Sequence, residues 1–483
     1  MSEVIRRPKV GKAHKELPLD IDWARSEMCR RSFFYFVQTF WEEVIPAEPV
    51  WNWHIEYLCN KAQDLVMGIL GTGPQKKDLV INIPPGTTKS TIFSVMLPVW
   101  AWTVDPSMRI LTVSYAYTLS IDLCIRSRDI LKSKKFATLF PDVTLKADQM
   151  GKSHYKNNDK GERMATSVGG SITGFHAHLI ILDDPINAQE ATSDFAREQA
   201  IDFIDRSLST RKVSKEDTRT ILVMQRLHTG DPTGHWLANR PDDIEHICLP
   251  GEATPRIAPK KLIPNYVKAG GFLDPVRMSD NVLRKLKIDL GSYGYSGQIL
   301  QDPVPIDGAI WQPQYFKSIP RHKIPELKKL GADWDLAYTK NTKNSASAYI
   351  VAGKHEEHMY ITGAGAFWAE FPVMIAKMRE LDMAPYVEAK ASGKSAVQVL
   401  KKQGVPAVEV QVKGGGDKIA RATLASPYAE AGLIYVADDI IDYLLYDPKQ
   451  GITRFPGGLN DDLNDALVQA INRLMSKPKV MIF

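Results

Sequence analysis

Short, uninterrupted apolar runs punctuate the first part of the chain: Leu79–Ile83, Ile110–Ser114, Leu179–Leu182, Thr220–Met224 and His246–Leu249. Runs of this length without polar alternation suit strands covered on both faces. The stretches between them carry helical spacing, and strands alternating with helices predict a mostly parallel sheet with helices on either side. Ahead of the first run, residues 21–70 are helical in pattern and rich in aromatics, among them Trp23, Phe33, Phe36, Phe40, Trp41 and Trp53, most of them expected in the core.

Residues 251–310 are rich in Pro and Gly and show little periodicity, and Pro303, Pro305, Pro313 and Pro320 mark 301–320 as a linker. Beyond it three strands follow in succession: Leu330–Leu336, Ala346–Gly353 and Met359–Ala366. Helices at Pro372–Leu381, Lys394–Gln403 and Lys418–Ala431 then alternate with strands at Tyr386–Ala389, Ala407–Val412 and Leu433–Val436, and a helix runs from Asp462 to Met475. That is the order of a ribonuclease H-like fold, although periodicity alone supports mixed α/β and the named fold rests on acidic residues described below. The expected organisation is an arm at 1–20, an α/β domain with a mostly parallel sheet at 21–300, a linker at 301–320 and a second α/β domain at 321–483.

Composition narrows the class. A chain of 483 residues, 44% hydrophobic and 24% charged, has the ordinary globular mix, which excludes disorder as the main state. Lys+Arg 61 against Asp+Glu 56 gives +5, which permits a polyanionic partner without requiring one. Cys29, Cys59, Cys124 and Cys248 form no CxxC pair, so they read as reduced, buried thiols rather than a zinc ribbon. Arg6, Arg7, Lys9, Lys12 and Lys15 have no apolar core behind them, which predicts a solvated arm and no secretory leader. The apolar stretch Ile92 to Val104 is broken by Ser94, Pro98 and Thr103 and is too short to span a bilayer.

Asp78 to Thr91 reads as a strand, a tight loop and a helix start. A phosphate loop needs backbone N–H groups around the phosphates, a lysine for the β/γ oxygens and a hydroxyl on Mg²⁺. Pro85, Gly86, Thr87, Thr88, Lys89, Ser90 and Thr91 supply such a loop, with Lys89 and Ser90 in the last two roles. The glycine pattern is degenerate, with Ile83 and Thr88 at glycine positions. A second apolar strand delivers Asp183 and Asp184 at its end, as metal coordination beside a phosphate loop requires. Asp183 would hold the metal and Asp184 would orient the attacking water. The plainer reading, that the two acids cap the segment before Pro185, leaves the match to Lys89 and Ser90 unused.

These pieces resemble the large terminase subunit of tailed bacteriophages, the ATPase-nuclease that packages viral DNA. The matching segments are Trp53-His-Ile-Glu56, Asn82 to Ser90, Ser114-Tyr115, Arg126-Ser-Arg-Asp129, Ile172-Thr-Gly174, Leu179 to Pro185, and Met224-Gln-Arg-Leu-His228 with Asp231 and Gly234. Thr88 stands where the family carries glycine and Asp184 where it carries glutamate. The resemblance implies ATP as cofactor, Trp53 and His54 near the adenine, Ile221–Gln225 coupling hydrolysis to motion, and an arginine finger for which Arg128 is the first candidate and Arg211 the second. It further implies double-stranded DNA, a procapsid portal and a small terminase subunit as partners. The resemblance implies, too, a homo-oligomeric ring on docking, a monomer in isolation, and the host cytoplasm, away from membranes, as the setting.

Two-metal phosphodiester hydrolysis needs three or four converging carboxylates, which suit Mg²⁺ or Mn²⁺. Gly331-Ala-Asp333-Trp-Asp335, Val387-Glu388 and Asn460 to Asp465 lie at the right points of the chain. Asp461 to Asp465 alone reads as helix capping. An acid beside Val387 is expected to be buried and to need a cation. The same family resemblance implies Asp333 on the first strand, Glu388 on a later one, and Pro456-Gly-Gly followed by Asp461, Asp462 and Asp465, of which Asp462 and Asp465 are favoured as metal ligands. Lys390, Lys394, Lys413, Lys418 and Arg421 are candidate phosphate contacts. The rival readings are a cellular helicase-nuclease of repair or restriction and a DNA-binding scaffold with an inactive phosphate loop.

Overall fold

The computed structural model describes residues 21–74, 77–303, 310–337, 346–388, 391–411, 418–456 and 461–475. The basic arm, Lys390, Lys413 and Gly457 to Asn460 lie outside them. Each expected strand of the first part is present within a residue or two. They are β1 (Asp78–Asn82), β2 (Arg109–Ser114), β6 (Leu179–Asp183), β7 (Arg219–Met224) and β8 (Ile244–Cys248), joined by β3 (Leu145–Met150), β4 (His154–Asn157) and β5 (Glu162–Ser167). The eight form one sheet in the order β3-β4-β5-β2-β6-β7-β1-β8. All neighbours pair in parallel except at β4, which runs against β3 and β5.

Burial on both faces explains the continuous apolar runs. Along β6, Leu179 and Ile181 enter a core with Phe33, Phe36, Phe40 and Trp100, while Ile180 and Leu182 enter another with Phe203 and Trp236. The aromatic-rich start of the chain covers the first face, as expected, although Trp23 and Trp51 stay exposed. The β3–β5 meander was illegible because its residues are polar and its edge lies in solvent: Lys146, Ala147 and Asp148 are exposed.

The second module is a seven-stranded sheet in the order β14-β13-β10-β11-β12-β15-β9. Its strands are β9 (Phe316–Ile319), β10 (Lys328–Asp335), β11 (Ser347–His355), β12 (His358–Phe367), β13 (Pro385–Glu388), β14 (Val408–Val410) and β15 (Ile434–Ala437). β10–β12 form an antiparallel meander, and the flanking strands are parallel to their neighbours. The linker expected at 301–320 needs correction. β9 pairs with β15 inside this sheet, and Trp311 is fully buried with its indole N–H on Asn464 Oδ1 at 2.8 Å. Prolines on either side gave an edge strand the look of a linker.

The low periodicity of 251–310 also has a cause. A helix over Asp280–Gln298 is broken at Gly291, where φ is 63°. A Cβ there would lie 2.9 Å from Pro427 Cγ on the Lys418–Glu430 helix of the second module. Beyond the break the helix restarts, and the Glu430 carboxylate caps it, accepting from Ser292 N at 3.0 Å and from the Ser292 hydroxyl. One module thus supplies the N-cap of a helix belonging to the other. Gly291→Ala should destabilise the protein by about 1–3 kcal/mol, since it combines strain at positive φ with a clash at the junction. Urea unfolding of the two proteins measures it, and equal midpoints would refute the account.

Candidate functional site

β1 delivers the loop that follows it on a rigid base. Asn82 at its end donates to Met224 O at 3.2 Å and Thr233 Oγ1 at 2.9 Å, and its side-chain oxygen meets His246 Nε2 at 2.8 Å. In the loop, Gly86 has φ 76° and Thr88 has φ 64°. The degenerate second glycine position thus has a left-handed backbone, which a threonine adopts at a cost of about 1–2 kcal/mol. Thr87 is fixed from both ends: its hydroxyl donates to Pro84 O at 2.7 Å, and its carbonyl is 3.3 Å from His54 Nε2. His54 is fully buried. It backs the loop at the Thr87 carbonyl, and the half-buried Trp53 packs edge-on against Tyr266 at 5.6 Å.

Lys89 and Ser90 meet the two acids of β6. Lys89 Nζ is 2.7 Å from Asp184 Oδ1, and Ser90 Oγ donates to Asp183 Oδ1 at 3.0 Å. Ser94, one turn on, donates to Asp183 Oδ2 at 2.6 Å. Asp184 also accepts from Gln225 N at 3.3 Å, in the segment that follows β7. Burial first, then the charge of Asp184, raises the Asp183 carboxyl above its ordinary value, against the pull of Lys89 and the two serines. A cation-seeking carboxylate beside a lysine and a hydroxyl is the arrangement a nucleotide–metal site uses.

The Met224 to Gly234 segment is knotted onto fully buried Asp231. That carboxylate takes both Oδ atoms to Arg226 Nε, at 3.1 and 3.0 Å, and accepts from Leu227 N and Gly234 N at 3.0 and 2.8 Å. Gly234 is required because a Cβ would meet Thr229 O at 1.9 Å. The finger candidates are placed elsewhere. Arg128 donates to Met150 O and Gly151 O at 3.1 and 3.2 Å, and the Arg211 carbonyl accepts from Ala177 N at 2.8 Å. Neither pairs with Asp183 or Asp184 in this chain.

The second acidic group revises the sequence reading. Asp333 is fully buried, and Arg473 of the Asp462–Met475 helix grips it through Nε at 3.0 Å to both oxygens and Nη2 at 2.7 Å, with Gln469 Nε2 at 3.3 Å. Burial raises its carboxyl above the ordinary range, and Arg473 works against that rise. Asp333 is thus ion-paired with Arg473 inside the fold. Asp335, two residues on along β10, shares its side of the strand and reaches the strand's end. The parallel register pairs Trp334 with Val387, which sets Asp335 beside Glu388 one residue later. The signal was present in the sequence as Asp333-Trp-Asp335, and burial decides between the two acids.

Asp462 is revised as well. Its Oδ2 accepts from Ala346 N at 3.0 Å and Gln450 Nε2 at 3.3 Å, and burial raises its carboxyl. It ties the final helix to the start of β11. Asp465, on the same helix, instead faces Glu388 across Arg421, whose Nη2 is 3.5 Å from Asp465 and Nη1 3.8 Å from Glu388. Lys418 bridges Asp465 and Asp461 at 3.0 and 2.6 Å. Lys394 is exposed. Oxygen ligands from Asp335, Glu388, Asp465 and Asp461 fit Mg²⁺ or Mn²⁺ by chemistry. Among the described residues no three acidic, His or Cys side chains already form a coordination shell, so Arg421 and Lys418 must turn aside for a cation to enter.

No family model matches the chain, and no curated protein matches it. Solved structures do. The large terminase of a thermophilic bacteriophage, in its crystal form 2, aligns at a TM-score of 0.53 and 12% identity over 86% of this chain and 99% of that one. Crystal form 3 of the same phage protein gives 0.50 at 12% identity over the same shares, 86% and 99%. The likeness is one of fold: two α/β modules follow one another along this chain as they do in that protein.

Two stability experiments follow from this geometry. Asp333→Ala strands Arg473, whose side chain is 10% exposed, and should destabilise the second module by about 3–5 kcal/mol. Urea unfolding measures it, and an unchanged midpoint would contradict the ion pair. Burial pushes His54 and His246 down to about 4 from 6.5. Because the folded values lie below the unfolded one, the unfolded chain binds more protons as pH falls. Stability is then full above pH 6.5 and is lost toward pH 4, by about 3 kcal/mol per histidine. Thermal midpoints between about pH 7 and about pH 4.5 should fall, and less steeply in His246→Gln; identical slopes would count against a neutral buried His246.

Proposed function

We propose that this chain is a viral DNA-packaging motor, in which ATP hydrolysis drives double-stranded DNA into a procapsid and an endonuclease in the second module cuts concatemeric DNA. The observation that carries the reading is the pairing of Lys89 with Asp184 and of Ser90 with Asp183, at 2.7 and 3.0 Å, on a chain whose other module gathers a second set of carboxylates.

On this reading Lys89 leaves Asp184 for the β/γ-phosphate oxygens, and the exposed N–H groups around Gly86 cradle the phosphates. Asp184, released from Lys89, accepts a proton of the attacking water and orients it. The Gln225 N–H on Asp184 carries the change into the Asp231 knot, which makes Met224–Gln225 the coupling segment. Ser90 and Asp183 would hold one cation, and Asp335, Glu388 and Asp465 with Asp461 would hold others. The divalent cations supply charge neutralisation on the phosphates at both sites. In the second module Arg421 and Lys418 turn from the acids to DNA phosphates, which position DNA without reading it.

An arginine finger given by a neighbouring subunit fits the placement of Arg128 and Arg211 away from the acids of their own chain. The expected partners are the portal, a small terminase subunit and further copies in a ring, and the expected setting is the host cytoplasm. Among the described residues no helix is long and apolar enough to cross a membrane.

Lys89→Ala should abolish ATP hydrolysis with the fold intact, and Asp184→Asn should bind ATP while slowing turnover by at least about 100-fold. Cleavage of plasmid DNA should need Mg²⁺ or Mn²⁺ and stop with chelator. Asp335→Ala should eliminate it and leave ATP hydrolysis unchanged. Phosphate release and plasmid nicking by the full chain decide the matter: parental ATP turnover by Lys89→Ala overturns the motor, and parental nicking by Asp335→Ala overturns the nuclease site.

A further inference from the structure

The helix leaving the phosphate loop is not a plain α-helix. Over Thr91–Met96 it widens into a π turn, in which Leu97 N–H bonds to Ile92 O, five residues back. Such turns are rare and gather at functional sites. This one is gripped from outside. Arg163 of β5 donates through Nη2 to Ser94 O at 2.9 Å, and Ser127 of the Tyr117–Lys132 helix donates to Ser94 O at 3.3 Å and Val95 O at 2.5 Å.

Arg163 is an unusual choice for that place. It is 1% exposed, and among the described residues it forms no ion pair. Its other partners are neutral, the Thr112 and Tyr155 hydroxyls and the Met164 carbonyl, and its Nε has no hydrogen-bond partner. A guanidinium taken out of water without a carboxylate is unfavourable, and packing alone would be met by an apolar residue. What it secures is the carbonyl of Ser94. The hydroxyl of the same residue holds Asp183 Oδ2 at 2.6 Å, leaving Oδ1 toward Ser90 at 3.0 Å.

We propose that Arg163 and Ser94 are positioning residues for Asp183. Arg163 holds the π turn, the turn aims Ser94, and Ser94 fixes the carboxylate so that Oδ1 faces Ser90 and the nucleotide-bound cation. The inference rests on the ATPase reading and adds to it two residues that touch neither nucleotide nor metal. Partners of this kind behind a metal ligand are typically worth about 10–100-fold in metal affinity.

The test uses the full chain, a fluorescent ATP analogue and a Mg²⁺ titration. Ser94→Ala, nearly isosteric, should raise the Mg²⁺ concentration for half-maximal binding by about 10–100-fold. Nucleotide binding in chelator should stay at the parental value. Arg163→Met should shift the Mg²⁺ requirement in the same direction, and should add little in the Ser94→Ala background, because residues acting in series are not additive. If Arg163→Met does not fold, Arg163→Lys, with a single donor head, serves in the same cycle and should show a smaller shift. An unchanged Mg²⁺ requirement in Ser94→Ala overturns the proposal, and so does full additivity of the two substitutions. A parent chain whose nucleotide binding ignores Mg²⁺ overturns the ATP site itself, and this inference with it.

Discussion

Asp183, Asp333, Glu388 and Asp465 are carboxylates withdrawn from water, three of them on strands and one on the final helix, which packs against β10 and β11. An ion moved out of water loses several kcal/mol of solvation that only a counter-charge and hydrogen bonds restore. Much of the surrounding architecture is that restoration. Ser90 and Ser94 answer Asp183, Lys89 answers its neighbour Asp184, Arg473 clamps Asp333, and Arg421 stretches between Glu388 and Asp465. The three solutions differ in kind. The Arg473 clamp is bidentate and closed, which makes it permanent. The other two use single lysine or long arginine contacts that can be exchanged for a metal or a phosphate.

That difference separates structure from chemistry more sharply than residue type does. Asp333 and Asp335 are both aspartates on β10, on one side of it and two residues apart. One is sealed under a guanidinium, and the other stands at the strand end, beside the strand that carries Glu388. The same logic sorts the final helix. Asp462 is consumed by the Ala346 N–H and Gln450, and Asp465 is left with exchangeable cationic side chains.

Much of the fold was legible because it obeys periodicity. β1, β2, β6 and β7 are apolar on both faces and so appear as unbroken runs, and the final helix was placed from Asp462 to Met475. What escaped was decided by tertiary contact. β3–β5 are polar strands held at an edge, β9 is four residues between prolines, and the helix at Asp280–Gln298 hides behind Gly291, Gly294 and Gly297. At the sites, the residue types were readable and their allocation was not. No spacing shows that Arg473 will take Asp333, or that His54 lies behind the loop rather than before it.

The helix restart at Ser292 bears on how the two modules can be arranged. Its cap comes from Glu430, and the helix it starts runs to Gln298, past Tyr293, whose hydroxyl donates to Leu227 O at 3.2 Å. Hydrogen bonds weaken steeply once distance and angle leave a narrow range. A carboxylate cannot slide along a helix end by degrees; it is either on the N–H groups or off them. Turning one module against the other would therefore break this cap whole rather than bend it by degrees. The next turn abuts the segment whose Gln225 N–H reaches Asp184, so the junction of the two modules adjoins the Asp183–Asp184 pair.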